Sequence, residues 1–394
     1  MKNIYLDNNA TTPLREEVLE AMMPYLRESY GNPSSVHSFG KKVRQAIEAA
    51  RETIANALGV TADELYFTTC GTESNNLALK GVAFSKIAEK RNKIVVSSIE
   101  HPCVQQSAKY LVNKGFNVCF LPVKPDGIID IEVARREIDE NTLIVSTLYA
   151  NNEIGTIQPV AEIGKIAKAN GALFHVDAVQ ALGKIPFKVG EFGADMLTVS
   201  AHKIYGPKGT AALFIRKGLK LEPLMHGGHQ EKRMRPGTEN PAGIIGFGKA
   251  VEEVLMDLED GTIERIRSLR DRLQDNLLSR LDEVKLNGHM ELRVPNTVNI
   301  SFKYVEGESL LLMLDNKGVA VSTGSACSSG SLEPSHVITS MGIPAEVAHG
   351  SIRFSLGRYN TLEEIDYTVD AVVEVVNKLR EFSPLWEDFK KSKQ

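Results

Sequence analysis

Seven short apolar runs of strand type, separated mostly by helical segments, constrain the fold of this chain more than any other feature. They lie at residues 65–69, 94–98, 118–123, 143–148, 173–177, 196–200 and 211–216. Alternation of strands and helices predicts a largely parallel sheet with helices on both faces. We therefore predict an α/β fold whose large domain contains a mostly parallel seven-stranded sheet.

Beyond about residue 260 the pattern becomes a mixture of long helices and isolated strands. Helices are predicted at residues 263–281, 309–315 and 361–380, and strands at 296–304, 319–322 and 351–356. The closing helix opens with a capping box, in which Thr361 and Glu364 exchange hydrogen bonds. We predict a large domain at 15–260 and a smaller α+β domain at 261–394, which the N-terminal segment 1–14 joins. Residues 6–13 are polar and turn-rich, and we expect them to be too short for a core element.

Composition and charge exclude several functions. The 394 residues carry a formal net charge of −4 and are 42% hydrophobic, as in an ordinary globular protein. This charge does not favour nucleic acid or an anionic membrane as a partner. Residues 1–9 lack the apolar core of a signal peptide, and the four cysteines include no C-x-x-C pair. We predict a cytoplasmic protein without a resident metal or a disulfide framework.

Polar residues follow the predicted strands at the ends where ligands bind in such sheets. They are Thr72, His101, Asn152, Asp177, Gln180, Ser200, His202 and Lys203. Because the carboxyl ends of parallel strands share one edge of the sheet, we expect these side chains to form one site.

Lys203 and Asp177 indicate the chemistry of this site. A lysine where a buried strand ends is partly desolvated, so its amine can be neutral and nucleophilic. The alternative is an ordinary surface lysine in a loop. A nearby aspartate favours the first interpretation, because pyridoxal phosphate (PLP) needs a lysine for its imine and a carboxylate at its ring nitrogen.

Residues 70–76 have the layout of an anion site, in which a strand is followed by a glycine, a hydroxyl and the start of a helix. Free backbone amides and the helix dipole favour a phosphate there, and Thr72 adds a hydroxyl. Thr72 or Ser74 could equally be a plain helix cap. The segment has neither a G-x-G-x-x-G pattern nor a Walker lysine, which leaves dinucleotides and nucleoside triphosphates without support.

Cys327 stands in a run of small and polar residues, 322–331. Cysteine usually prefers burial, whereas exposure suits a thiolate nucleophile. The alternative is an incidental thiol in a linker. Cys70, Cys103 and Cys119 lie in or beside apolar strands, and we predict that they belong to the core.

Taken together, these residues resemble the cysteine desulfurases of the NifS and IscS branch, which are class V aminotransferase-like PLP enzymes. The resemblance extends from residues 5–12 to residues 351–358. Its most specific parts are Ser-Ala-His-Lys at 200–203, His-Val-Asp-Ala-Val-Gln at 175–180 and Gly-Ser-Ala-Cys at 324–327. It implies PLP fold type I, a homodimer, and conversion of L-cysteine to L-alanine with the sulfur left on an enzyme cysteine.

The resemblance also implies a role for each residue around the cofactor ring. Lys203 is similar to the imine-forming lysine, which later carries a proton. Asp177 would pair with the pyridinium nitrogen, and Gln180 would reach the ring hydroxyl. His101 would stack on the ring and move protons, and Asn152 would contact the cofactor.

Further implied roles concern the phosphate, the substrate and the sulfur. The phosphate would be held by Gly71, Thr72, Ser200 and His202, and by Thr238 of the neighbouring subunit. Arg353 and Asn32 would hold the substrate carboxylate. Cys327 would take the sulfur, pass it to an acceptor or iron–sulfur scaffold protein, and make at most a transient contact with an iron–sulfur cluster. His229 departs from the family, which often has glycine there, so the geometry of that loop is left open.

Three other functions compete with this one. A selenocysteine lyase could use nearly the same residues. A fold type I aminotransferase would share Lys203 and Asp177 but would have no use for Cys327. A non-catalytic sulfur carrier would keep only a vestigial cofactor site.

Overall fold

The seven predicted strands form one sheet in the computed structural model, which describes residues 3–323 and 333–392. Numbered along the chain, they are β2 (Leu65–Thr68), β3 (Lys93–Ser97), β4 (Asn117–Leu121), β5 (Thr142–Leu148), β6 (Leu173–Asp177), β7 (Met196–Ser200) and β8 (Ala211–Ile215). Their order is β2-β8-β7-β6-β5-β3-β4, and only β8 runs antiparallel to its neighbours. The predicted α/β fold with a mostly parallel seven-stranded sheet is confirmed.

Helices cover this sheet. They are α1 (Glu16–Arg27), α2 (Ser38–Leu58), α3 (Gly71–Ala83), α4 (Pro102–Val112), α5 (Ile131–Glu137), α6 (Val160–Ala169) and α7 (Pro241–Asp257). On α2, Val43, Ile47 and Ile54 recur at helical spacing and are fully buried. The helix packs against α7, where a Cβ on Gly248 would lie 2.8 Å from Ala50 Cβ. Glycine at 248 therefore allows the two helices to approach closely.

The second part of the chain forms a four-stranded antiparallel sheet with its own helices. The order of its strands is β12 (Ser322–Thr323), β13 (Ser351–Ser355), β10 (Thr297–Phe302) and β9 (Val284–Asn287). The helices are α8 (Thr262–Arg280), α9 (Gly307–Asn316), α10 (His336–Ser340), α11 (Ala345–His349), α12 (Leu362–Glu381) and α13 (Pro384–Ser392). The predicted capping box at the start of α12 is present: Glu364 N donates to Thr361 Oγ1, and Thr361 N donates to Glu364 Oε2.

The prediction of one strand at residues 319–322 is wrong, because this segment belongs to two strands in two different sheets. Its first part, β11 (Val319–Ala320), pairs in parallel with β1 (Ile4–Tyr5). The chain then turns to β12, which pairs with β13. The apolar pattern is continuous across this turn, so only the pairing partners reveal the break.

The expectation that residues 6–13 stay outside the core is also wrong. Leu6 is fully buried, and Asn8, Asn9 and Thr12 are buried as well. Leu6 N donates to Ala320 O at 2.9 Å, and Ser355 N donates to Leu6 O at 2.7 Å. The segment is buried because its backbone is hydrogen-bonded on both sides, which its polar sequence does not reveal.

The apolar core is divided into separate clusters. One surrounds the seven-stranded sheet and includes α2, α6 and α7. Another joins Ile4 and Leu6 to side chains between Ile263 and Val376. This division is compatible with the domain boundary expected near residue 260, which stays a prediction.

Candidate active site

A cavity of about 300 Å³ lies at the carboxyl ends of the parallel strands. Ten of the thirteen predicted site residues line it: Gly71, Thr72, His101, Asn152, Asp177, Gln180, Ser200, His202, Lys203 and Arg353. Asn32 and Thr238 are exposed and do not line the cavity of their own chain. Cys327 lies outside the described residues. Ligand sites are expected at this edge of a parallel sheet.

Asp177, the last residue of β6, is buried and held from two sides. Its Oδ2 accepts a 2.6 Å hydrogen bond from Asn75 Nδ2, and its Oδ1 accepts a 3.0 Å bond from Val179 N. Asn75 lies on α3, one helical turn after Gly71. Two donors at fixed positions keep the carboxylate from rotating, so it presents a constant orientation to the cavity.

Lys203 follows β7 at the end of a short 3₁₀ turn, Ala201–Lys203. Its Nζ donates to the backbone oxygens of Asn9 and Ala10, each at 2.6 Å. Both acceptors belong to the buried N-terminal segment. Residues 6–13, which we expected to lie outside the core, therefore contact the amine that is predicted to form the imine.

The end of the cavity at α3 has the donors that an anion needs. The helix begins at Gly71, whose added Cβ would lie 3.2 Å from Val179 Cγ2. Ser200 Oγ is buried and, within residues 3–323 and 333–392, has no hydrogen-bond partner. A buried hydroxyl without a partner costs free energy unless a ligand satisfies it. Burial, with Lys203 and Lys208 nearby, lowers the pKa of His202 to about 4, so this ring is neutral.

His101 caps α4 with its side chain. Nδ1 accepts from Cys103 N at 3.2 Å and lies 3.0 Å from Cys103 Sγ. Because Nδ1 is an acceptor, the neutral ring carries its proton on Nε2. Burial lowers the pKa of His101, although the charge of Asp177 opposes this effect.

Two of the cysteines predicted to be core residues line the cavity. Cys70 is the residue before α3, and Cys103 is in the first turn of α4. Burial, together with the charge of Asp177, raises the pKa of Cys103 to about 12, so its thiol stays protonated. Cys119 is only partly buried and packs against the core. Cys103 packs against the core as well as lining the cavity, so the prediction holds for it in part. For Cys70 the prediction is wrong, because a helix start at the edge of a sheet faces the ligand as well as the core.

Arg353, on β13, also lines the cavity. Its Nη2 donates to Asp7 Oδ1 at 2.7 Å, and its Nη1 donates to Asn152 O at 2.9 Å. The side chain is buried, and its Nε has no partner among the residues that the structure describes. A fixed guanidinium suits a carboxylate ligand. Asp7 was not predicted as a site residue.

The chain resembles known proteins over its whole length. Residues 4–368 match the class-V aminotransferase family. The cysteine desulfurase IscS of Dictyoglomus turgidum is 52% identical over 393 residues, which cover 100% of this chain and 99% of that protein. The IscS of Methanosarcina thermophila is 50% identical, over 98% of this chain and 94% of that protein. This chain is a member of the cysteine desulfurase family.

Solved structures have the same fold. A NifS-like protein superimposes with a TM-score of 0.90 at 40% identity, covering 96% of this chain and 100% of that one. The structure of SspA in complex with cysteine gives a TM-score of 0.80 at 34% identity, covering 91% and 100%. Fold type I is therefore the fold of this chain.

The cysteine desulfurase family depends on PLP, and the residues present fit this cofactor. The unsatisfied Ser200 hydroxyl and the start of α3 suit a phosphate. The fixed Asp177 carboxylate and the Lys203 amine supply the two groups that a PLP ring requires. Elsewhere in residues 3–323 and 333–392, no group of three His, Cys, Asp or Glu side chains is arranged to hold a metal ion.

Sequence reasoning missed Asn9, whose hydrogen bonds join several segments around the cavity. Its backbone oxygen accepts from Lys203 Nζ and from Gln180 Nε2. Its side-chain nitrogen donates to Asn152 O at 3.1 Å and to Thr297 Oγ1 at 2.8 Å. The sequence does contain a signal for this role. Two asparagines in a short turn-rich segment can form hydrogen bonds with several buried polar groups at once.

Proposed function

We propose that this chain is a PLP-dependent cysteine desulfurase that moves sulfur from L-cysteine to Cys327 and releases L-alanine. The observation that carries the proposal is the position of Lys203 and Asp177, at the ends of neighbouring strands, on one cavity. Membership of the family supports the same activity.

PLP, when bound, supplies an electron-poor ring that takes up the electrons released at the substrate α-carbon. Asp177 would keep the ring nitrogen protonated, because Asn75 and Val179 N hold its carboxylate in place. The Lys203 amine would carry the proton from the α-carbon. His101 would lie against the ring and present its Nε2 proton to the cavity.

The substrate carboxylate would be bound by Arg353. Asp7 and Asn152 already hold two of its nitrogens, so the guanidinium does not need to be ordered when substrate arrives. Asn32 is exposed, and its Oδ1 accepts from Ser34 N at 2.9 Å. If Asn32 contributes to a carboxylate site, it would be the site of a neighbouring subunit.

Cys327 would attack the substrate sulfur as a thiolate, so that an S–S bond forms while the Cβ–S bond breaks. The described residues on either side of its segment support this role. On one side, Ser322 of β12 pairs with Arg353 of β13. On the other, Ser335 Oγ donates to the buried carboxylate of Glu153, next to Asn152. The residues on both sides of the segment thus lie beside Arg353 and Asn152, which line the cavity.

A homodimer completes the proposal. Thr238 is exposed, which suits a contact with the phosphate site of a second subunit. Leu26, Tyr30, Val36 and Phe39 are exposed apolar side chains near Asn32, and a second copy would cover them. A fully active monomer in sedimentation velocity would contradict this part.

The cellular role follows from the family. We propose that the enzyme works in the cytoplasm and supplies sulfur to an acceptor or iron–sulfur scaffold protein. Within residues 3–323 and 333–392, none of the helices is both long and apolar enough to cross a membrane.

The activity is tested by incubating the holoenzyme separately with L-cysteine, L-selenocysteine, and an amino acid plus an oxo acid. Release of alanine and sulfide from L-cysteine in the presence of a thiol supports the proposal. Turnover of L-selenocysteine alone would indicate a selenocysteine lyase. Amino-group transfer to the oxo acid would indicate an aminotransferase.

A further inference from the structure

A second lysine lies close behind the cavity and has no role in the proposed function. Lys184 is almost fully buried, four residues after Gln180. Its Nζ donates to Asn9 Oδ1 at 3.0 Å and to Gln180 Oε1. It also borders a separate cavity of about 30 Å³, whose wall includes Lys203. Burying an amine costs free energy unless it is hydrogen-bonded, so we looked for a function of the groups that bind it.

The environment of Lys184 disfavours its charged form. Burial lowers its pKa well below the usual lysine value, and the charges of Lys203 and Arg353 act in the same direction. Asn9 Oδ1 and Gln180 Oε1 are both acceptors, and an amine can donate to both in either protonation state. Its two contacts therefore persist whether or not it carries a proton.

Lys184 and Asn9 together fix which way the Gln180 amide points. Gln180 Oε1 accepts from Lys184, while Gln180 Nε2 donates to Asn9 O at 3.0 Å. In the reversed orientation, Gln180 Oε1 would face the carbonyl oxygen of Asn9, and its nitrogen would face the hydrogens of the amine. The amide has one favourable orientation because both its ends have complementary partners.

This orientation leaves a donor for the cofactor. Gln180 lines the 300 Å³ cavity, and its nitrogen carries two hydrogens. Within residues 3–323 and 333–392, Asn9 O is the acceptor that uses one of them. We propose that Lys184 is a positioning residue that keeps the Gln180 amide nitrogen available to the ring oxygen of PLP. The inference rests on the proposed function and adds a residue to its machinery.

The effect of Lys184 on the ring is measurable without turnover. A donor to the ring oxygen stabilises its anionic form, and this lowers the pH at which the visible absorption band of the holoenzyme titrates. Removing the donor, or the residue that orients it, should move that titration to higher pH. The expected shift is about one pH unit, the scale of one lost hydrogen bond to a charged atom.

The experiment is a double-mutant cycle on the purified holoenzyme. The titration of the visible band is compared in the wild type, Lys184→Met, Gln180→Ala and the double variant. If Lys184 acts through Gln180, Lys184→Met raises the titration pH in the wild-type background and adds nothing in the Gln180→Ala background. A shift of equal size in both backgrounds would mean that Lys184 acts by charge or by packing, and this overturns the proposal. An unchanged titration in Lys184→Met also overturns it.

Lys188 provides a matched control from the same segment. Its Nζ donates to the backbone oxygens of Asn56 and Ala57, far from the cofactor groups. Lys188→Met should lower thermal stability and leave the titration of the band in place. If it shifts the band as much as Lys184→Met does, the effect is not specific to Lys184, and the proposal fails.

A further variant keeps the proposal testable if Lys184→Met does not fold. Gln180→Glu retains an acceptor for Lys184 but has no N–H, so the band should titrate at higher pH than in the wild type. An unchanged band would overturn the proposal. The proposed function fails by a different result, namely a wild-type holoenzyme that releases no alanine from L-cysteine.

Discussion

The cavity has two walls of different origin. The sheet wall, made of Gly71, Thr72, Asp177, Ser200 and Lys203, comes from residues at or just after the ends of strands. The second wall consists of Asn9, Asn152 and Arg353, together with Asp7, which is bonded to Arg353. These residues come from three distant parts of the chain, and hydrogen bonds join them. In the proposed function, the sheet wall supplies the groups for the chemistry, and the second wall orients the substrate. Substitutions in the sheet wall should therefore affect turnover, and those in the second wall should affect binding and stability.

The largest effect is expected at Lys203. Lys203→Ala removes the amine proposed to form the imine and to carry the proton, so turnover of L-cysteine should fall below detection. The fold should remain, because the two hydrogen bonds shown for the amine go to backbone oxygens beside the cavity and not to a core side chain. Alanine release and circular dichroism measure the two effects. Turnover at the wild-type rate would contradict this role of Lys203.

Asp177 should have the next largest effect. Asp177→Ala removes the charge that keeps the ring nitrogen protonated, and kcat should fall by roughly a hundredfold or more, the scale of losing one electrostatic catalytic group. Cofactor should still bind, because the phosphate is held by other residues. Steady-state kinetics and the cofactor content of the purified variant test this. A normal kcat would contradict the role.

On the second wall, Asp7→Asn should affect KM more than kcat. The substitution removes the charge that holds Arg353 Nη2 at 2.7 Å, so the guanidinium loses its fixed orientation. We expect KM for L-cysteine to rise about tenfold, the scale of one lost charged hydrogen bond. Asp126→Asn, remote from the cavity, serves as the control. A fall in kcat at constant KM would show that the two walls are not divided in this way.

Glu153, beside the second wall, should give the smallest effect, a dependence of stability on pH. Burial raises the pKa of Glu153 to about 7 against a usual value of 4.5, although the Ser335 hydroxyl and Arg353 oppose the rise. The folded state therefore binds a proton that the unfolded state releases, and this contribution to stability is lost as pH rises from about 4.5 to about 7. Glu153→Gln has no carboxyl group at this position to titrate, so its stability should not fall in this way.

Thermal unfolding at pH 5 and pH 8 tests the Glu153 prediction. From pH 5 to pH 8, the midpoint temperature of unfolding should fall further in the wild type than in Glu153→Gln. An identical change in both proteins would mean that Glu153 does not titrate in this range.

The two walls also differ in how far sequence could predict them. The strand ends at Asp177 and Ser200 were predicted without error, because a short apolar run followed by a polar residue is a local signal. Lys203 was predicted for the same reason. The second wall depends on which distant segments meet. Asn152 is predicted there because it follows a strand, and Arg353 only through resemblance to a family. Asp7 and Asn9 looked like an exposed turn, since their partners are 143 to 346 residues away.

Other errors have the same physical cause. Residues 319–323 form two strands because Val319–Ala320 pairs with β1, whereas Ser322–Thr323 pairs with β13. Burial of a polar group depends on partners that no local pattern contains.

The central claim, that sulfur from L-cysteine is transferred to Cys327, is tested most directly by mass spectrometry of the holoenzyme after brief treatment with L-cysteine. We predict one added sulfur atom on the peptide that contains Cys327. Cys103→Ser, which removes the cavity thiol with the raised pKa, should still acquire it. Cys327→Ser should bind cofactor, acquire no sulfur and release no alanine. Sulfur found on Cys70, Cys103 or Cys119 instead, or normal desulfuration by Cys327→Ser, would contradict the account.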